Sequence, residues 1–254
     1  MFNIPRNFIP SLFTILNAFC GFLSIIHAAK GNFDQAIAFI VYAALFDAVD
    51  GLAARLTNSA SRFGVELDSL ADVVSFGAAP SFILYNIYFK EHGDIGIVLS
   101  SLILLFAAIR LARFNVQLSG FNKDHFSGVP VPMAAMTVCS YIYFYHNKLF
   151  GYDLSQKVII VLAIVLPVLM VSKFRYDTIP RISLGTIKKF PVKFIFLFIG
   201  IIICVVTKGE GLFLFCAFYL STGVFRGAFN QFKKITKRGT YEERENSEVK
   251  VKVK

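Results

Sequence analysis

Apolar residues run in long blocks along this chain, and most polar residues gather between them. The first block, Phe8–Ala29, contains 22 residues and no formal charge. A helix needs about 20 mainly apolar residues to cross a bilayer. Further blocks near that length lie at about Phe33–Leu56, Gly64–Phe89, Ile95–Leu118, Val129–His146, Leu154–Ser172, Val192–Thr207 and Gly211–Phe229. The pattern predicts an all-α integral membrane protein with about eight transmembrane helices. Lys193 near its start makes the seventh block the weakest of these. The N-terminal stretch MFNIPRNFIPSLF has no A-x-A-like cleavage site, so the first block is expected to be a retained span.

Composition agrees with lipid as the solvent. Hydrophobic residues make up 56% of the 254 positions and charged residues 17%, against about 45–50% and about 25% in a soluble domain. Collagen-like, disordered, disulfide-scaffold and ordinary cytosolic classes are excluded. Lys and Arg number 26 against 16 Asp and Glu, a net charge of +10. In a soluble protein that balance would point to nucleic acid; across eight spans it sorts by side. With the N-terminus inside, Lys30, Lys90, Lys148, Lys157 and Lys208 fall on the outer side and the other 21 basic residues on the inner side. That asymmetry predicts cytoplasmic N- and C-termini in the cell membrane and no nucleic-acid partner. Residues 1–232 read as one polytopic membrane domain and 233–254 as a charged cytoplasmic tail. Cys20, Cys139, Cys204 and Cys216 lie singly in apolar runs and read as buried small hydrophobes. The four histidines form no ligand pattern.

Four acids interrupt the apolar pattern. Asp47 and Asp50 stand in AALFDAVDGLAARL, and Asp68 and Asp72 in GVELDSLADVVSFGAAP. An ionised Asp at the centre of a spanning helix costs about 2.5–3.5 kcal/mol by insertion scales, so the acids are expected near helix ends. Asp47, Asp50 and Ala54 follow one stripe of a helix, and Asp68 and Asp72 are i, i+4 on the next. The connector TNSASRF is short, making these helices antiparallel neighbours. All four carboxylates can therefore face one point near the cytoplasmic surface. An oxygen-only set on helices suits Mg²⁺, Mn²⁺ or Ca²⁺, and two such ions about 3.5–4 Å apart clamp phosphoryl groups. The alternative is four acids that merely cap helix ends or face water.

Written out, the stretch is Asp47-x₂-Asp50-Gly51-x₂-Ala54-Arg55-x₈-Gly64-x₃-Asp68-x₃-Asp72. It resembles, at every fixed position, the signature of the CDP-alcohol phosphatidyltransferases. The resemblance implies a membrane enzyme with a six-helix catalytic core, usually a homodimer, in which an alcohol displaces CMP from a CDP-linked lipid. It further implies that Asp47, Asp50, Asp68 and Asp72 hold a pair of divalent ions and that Asp72 also acts as general base. Gly51, Ala54 and Gly64 would let the nucleotide lie close to the backbone, and Arg55 would meet the diphosphate. Residue chemistry is consistent with those roles: glycine has no Cβ to block a ligand, and a planar guanidinium suits phosphate oxygens.

The segments LDSLADVVSFGAA, RLARFN and FSGVPVPMAA resemble one branch of that family, the membrane-type phosphatidylserine synthases of bacteria and archaea. Pro10, Thr14 and Asn17 resemble it too, although this chain has Ser11 where the branch usually has Asn. The branch implies transfer of a phosphatidyl or archaetidyl group from CDP-diacylglycerol or CDP-archaeol to L-serine, releasing CMP. Serine carries a carboxylate that needs a cation beside the acids; Arg110 and Arg113, i, i+3 near the end of the fourth span, could supply it or could anchor to lipid headgroups. The stiff segment FSGVPVP could cover the pocket or only lead into the fifth span. A rival within the family would use glycerol 3-phosphate or an inositol phosphate, with Lys123, Arg175 and Arg181 as extra cations. A rival of another class is an ion-coupled transporter, which would place its acids near the bilayer midplane in repeated halves.

Overall fold

A computed structural model describes residues 8–56, 61–118, 128–146, 148, 151–174, 176, 200 and 202–227. For residues 8–10, 54–56 and 118 that description covers the backbone alone. Helices are the regular elements among the described residues. Helix α1, Phe8–Ala29, turns into α2, Phe33–Leu56, through a left-handed Gly31 at φ +76°. The Asn32 N–H donates back to His27 O at 2.9 Å and the Gly31 N–H to Ala28 O at 3.0 Å. This αL cap satisfies the last carbonyls of α1 and reverses the chain within three residues.

Helix α3, Arg62–Asp72, starts at an extended Ser61 whose side chain accepts the Gly64 N–H at 3.0 Å, an N-cap that satisfies one of the helix's free donors. It passes through a π-helical stretch, Val73–Ala78, into α4, Ala79–Ile87, so that Arg62–Ile87 forms one apolar rod. Pro80 has no N–H to give and its ring crowds the preceding turn; the widened π turn lies directly before it. A short 3₁₀ turn, Phe89–His92, leads to α5, Gly93–Leu118. Then come α6, Val131–Phe144, and α7, Tyr152–Val171, and finally α8, Gly211–Gly227.

Among the described residues, five rods are long and apolar enough to cross a membrane: Ser11–Ala29, Phe33–Ala53, Arg62–Ile87, Phe89–Gln117 and Tyr152–Val171. The chain is an all-α multi-pass membrane protein. The fifth expected span is shorter than its apolar block. Val129 instead pairs with α7, its N–H donating to Leu169 O at 3.1 Å, and Tyr145 and His146 form a turn. The eighth is described from Gly211 as far as Gly227. The seventh expected span lies mostly outside the described residues, as do Lys123, Arg175, Arg181 and the 233–254 tail.

Helix α1 shows how the fold inverts a soluble pattern. Leu12, Ile15, Phe19 and Phe22 are exposed, whereas Thr14, Asn17, Cys20 and Ser24 are buried. With lipid outside, apolar side chains cost nothing on the surface and the polar stripe turns inward. That stripe packs along α2 and crosses α3, the π stretch and α4, while α5 packs on α7 and the π stretch, and α6 on α2 and α7. Gly21 lets α1 come close to the π stretch: a Cβ there would come within 2.6 Å of Ser75 Cα. All four cysteines are free, three of them buried.

Candidate active site

The acids lie in the second half of α2, at Asp47 and Asp50, and in the second half of α3, at Asp68 and Asp72. Asp47, Asp68 and Asp72 converge, each offering a carboxylate oxygen within 4.8 Å of the others. Asp50 stands outside this group. Its Oδ2 accepts a hydrogen bond from the Thr14 hydroxyl of α1. The expectation that all four acids face one point is therefore met by three of them. Helical geometry explains the difference, because residues three apart on a helix differ by about 60° in direction, enough for Asp47 to face α3 while Asp50 faces α1. Asp50 and Asp72 are buried, each 7% exposed, and Asp47 and Asp68 are half-buried.

Asp72 has a second neighbour from α1. The side-chain amide of Asn17 donates from Nδ2 to Asp72 Oδ1 at 3.2 Å, and Ser75 Oγ donates to the Asn17 backbone carbonyl at 2.8 Å. The π stretch thus begins at the residue after Asp72 and is tied to the same turn of α1. Thr14 and Asn17 contact two of the four acids. Their signal in the sequence is two polar residues at i, i+3 in an otherwise apolar span.

Beside the acids is a pocket of about 210 Å³ lined by Asp68, Ser69, Asp72, Arg110, Gly128, Tyr176 and Tyr219, among others. This is below the 300–1,000 Å³ of drug-sized ligand sites and suits a small polar molecule. A larger groove of about 320 Å³, lined by Ile37, Val41, Met136 and Phe144 among others, lies at the opposite end of the bundle. It is mainly apolar and holds none of the site acids. Arg110 sits near the end of α5 with its Nε buried and without a hydrogen-bond partner among the described residues. Arg113, one turn on, donates from Nη1 to Val171 O at 3.1 Å and so caps α7. Of the two arginines expected to meet an acceptor, one lines the pocket and the other has a structural carbonyl partner.

Gly128 shapes the opposite wall. Its φ is +87°, and a Cβ there would meet Met170 O at 2.0 Å, so only glycine fits between the pocket and the end of α7. Its N–H donates to Phe174 O at 2.9 Å. Tyr176 donates its hydroxyl to Leu220 O at 3.3 Å and stacks near Tyr219 at 5.6 Å between centroids. Burial pushes the Tyr176 phenol up to about 12, so it stays protonated and acts as a donor and a wall. Neither tyrosine was singled out from sequence, where each is one aromatic among many. At the outer rim, Ser69 Oγ donates to Asn115 Oδ1 at 3.1 Å and Asn115 Nδ2 to Glu66 Oε2 at 3.0 Å.

Of the remaining expected site residues, Gly51 is half-buried on α2. Among the described residues, a Cβ on Gly64 would meet only Ser61 Oγ, at 3.2 Å. The side chains of Ala54 and Arg55 lie outside the described residues, although their backbone continues α2.

The donor set fits a hard divalent ion. At an effective dielectric near 20, two unit charges 4.8 Å apart repel by about 3 kcal/mol, and three such pairs need a cation among them. Carboxylate oxygens alone favour Mg²⁺, Mn²⁺ or Ca²⁺ over softer metals.

The chain belongs to the CDP-alcohol phosphatidyltransferase family, whose profile matches residues 7–169. It is 37% identical over 229 residues to CDP-diacylglycerol–serine O-phosphatidyltransferase of Helicobacter pylori, covering 90% of this chain and 94% of that protein. Archaetidylserine synthase of Methanothermobacter thermautotrophicus is 37% identical over 180 residues, 70% of this chain and 73% of the relative. The Bacillus subtilis CDP-diacylglycerol–serine O-phosphatidyltransferase is 38% identical over 130 residues, 51% of this chain and 72% of the relative. The chain is thus a membrane-embedded transferase. The family match spans Asp47, Asp50, Asp68, Asp72, Arg110 and Arg113; Tyr176 and Tyr219 lie beyond it.

Proposed function

We propose that this transferase moves a phosphatidyl or archaetidyl group from a CDP-linked lipid to the hydroxyl of L-serine and releases CMP. The observation that carries the reading is the convergence of Asp47, Asp68 and Asp72 beside a small pocket whose described lining includes the Arg110 guanidinium. The names of the relatives supply the acceptor, and the pocket's size and charge suit it. Two divalent ions held by the Asp cluster, with Asp50 beside it, would neutralise the diphosphate and the departing CMP.

The chain's own residues do the rest. Asp72 takes the proton from the serine hydroxyl. The serine oxygen then bonds to the lipid-bearing phosphorus, the bond from that phosphorus to the CMP oxygen breaks, and CMP leaves with the electron pair. Arg110 holds the serine carboxylate, turning it away from the acids. Gly51, Ala54, Arg55 and Gly64 flank the nucleotide. Burial on α3 and closure by Tyr176 and Tyr219 limit water, which would otherwise compete as acceptor.

In this reading residues 1–232 are one catalytic domain, a homodimer with both termini in the cytoplasm and the site at the inner leaflet, and 233–254 is a charged tail. Glycerol 3-phosphate or an inositol phosphate would bring more negative charge than the Arg110 guanidinium, the cation in the described lining, balances. The test offers CDP-lipid to the purified protein with labelled serine, glycerol 3-phosphate or inositol phosphate in separate reactions. Label from serine should enter lipid in step with CMP release; label entering from either of the other acceptors alone refutes the serine assignment.

A further inference from the structure

Asp72 is held from outside its own helix and, among the described residues, at one oxygen. Asn17 is fully buried, 0% exposed, and its amide N–H reaches Asp72 Oδ1. Among the described residues no donor reaches Asp72 Oδ2. The Asn17 backbone is fixed in turn by Ser75 Oγ, and one turn further along α1 the missing Cβ of Gly21 lets the Ser75 backbone come within van der Waals range. Asn17, Gly21 and Ser75 thus form one rigid contact between α1 and the π turn that starts immediately after Asp72.

We infer that Asn17 is a positioning residue for Asp72: its amide fixes the rotation of the carboxyl group and leaves Oδ2 as the oxygen that receives the acceptor's proton. The inference rests on Asp72 acting as the base. A carboxyl at the end of a two-torsion side chain has a broad terminal rotation, and catalysis by a positioned base is sensitive to misplacements well below an ångström or two. Asn17 contacts the base and none of the other acids in hydrogen-bonding range, so it affects the step in which the proton moves more than the binding of either substrate. The buried Asn17 Oδ1, which has no hydrogen-bond partner among the described residues, marks a residue kept for the donor end of its amide, since an unpaired buried acceptor costs stability.

The test compares Asn17→Ala and Asn17→Asp with the unaltered protein, purified in detergent and assayed with CDP-lipid and labelled serine. Asn17→Asp keeps the size of the side chain but exchanges the N–H donor for a second carboxyl, while Asn17→Ala removes the donor without adding an acid, so the pair separates loss of the amide from added charge. Both variants should lose kcat by 30-fold or more, with KM for serine and for CDP-lipid within threefold and a thermal midpoint within a few degrees. Ser24→Ala, two turns along the same buried stripe and also without a partner, should keep kcat within twofold. If either folded Asn17 variant keeps kcat within threefold, or if its loss is all in KM, the positioning role is overturned. Asp72→Asn assayed alongside separates the two claims. An inactive Asp72→Asn with a normal Asn17→Asp rejects only the positioning role, whereas an active Asp72→Asn removes the base itself.

Discussion

At the end of the bundle away from the acids, Tyr141, Ser155 and His146 form a polar group as deeply buried as the carboxylates. There the hydrogen bonds close. Tyr141 donates its hydroxyl to Ser155 O at 3.0 Å, Ser155 Oγ meets His146 Nδ1 at 2.9 Å, and Tyr145 donates to Glu210 O at 2.9 Å. Burial lowers the His146 pKa, keeping the ring neutral near pH 7, and the Phe213 ring lies 5.2 Å from both tyrosine rings. Gln156 Oε1 is the acceptor left over. At the other end three carboxylates face one another, each with an oxygen within 4.8 Å of the others, and Arg110 is the basic side chain among the described lining of the pocket beside them. Neutral donors matched to acceptors stabilise a bundle; like charges brought together do the reverse and call for something from outside. Burial alone does not separate structure from site. The sign and pairing of the buried groups do.

The comparison breaks most sharply at Asp68. Replacing it with Asn removes one charge from the cluster and a metal-capable oxygen. Asp68→Asn should reduce CMP release by at least about a thousandfold, on the scale of losing an electrostatic centre of catalysis, while lowering the repulsion among the acids and so leaving thermal stability equal or raised. A chelator should silence the unaltered protein to the same degree, with Mn²⁺ or Mg²⁺ restoring it. Turnover by Asp68→Asn near the normal rate would show that the cluster is not the reaction centre.

A smaller effect sharpens the reading of the pocket. Arg110 lines it with a buried Nε that has no partner among the described residues, whereas Arg113 caps the last carbonyl of α7. Arg110→Ala should therefore raise KM for serine about tenfold or more and change KM for CDP-lipid much less, in line with one charge-assisted hydrogen bond. Arg113→Ala should lower the thermal midpoint and leave KM for serine nearly unchanged. Equal effects of the two substitutions on KM would mean that both act through the fold.

The acids and their helices were legible because lipid leaves so little freedom. A charge in an apolar block has few explanations, and spacing by three and four places such charges on one face of a helix. The rotation of one helix against another was not legible. Periodicity gives the direction of Asp47 relative to Asp50 but not which of α1 and α3 stands opposite each, so Asp50 paired with Thr14 against expectation. The π stretch at Val73–Ala78 was invisible for a related reason: residues VVSFGA continue a helical pattern, and only Pro80 and the approach of Gly21 to Ser75 make the wider turn favourable. Tyr176 and Tyr219 lie 43 positions apart and meet only through α8; Gly223, whose Cβ would strike the Tyr176 ring at 2.1 Å, lets them do so, and a glycine in an apolar span carries no such message by itself. Arg113 shared its signal with Arg110, and the carbonyl that separates their roles belongs to a helix 58 residues away.

The mildest substitution tests the closed end. Tyr141→Phe keeps the ring against Phe213 and removes only the hydroxyl. Interhelical hydrogen bonds in membranes average about 0.6 kcal/mol, and soluble ones about 1 kcal/mol. The loss should therefore lower the thermal midpoint by a few degrees in detergent, because Ser155 keeps His146 as a partner. CMP release should stay within twofold, since no described contact carries Tyr141 to the acids. A tenfold loss of activity at unchanged stability would mean that this end of the bundle is coupled to the site, and the distinction between paired neutral groups and facing charges would no longer separate scaffold from chemistry in this fold.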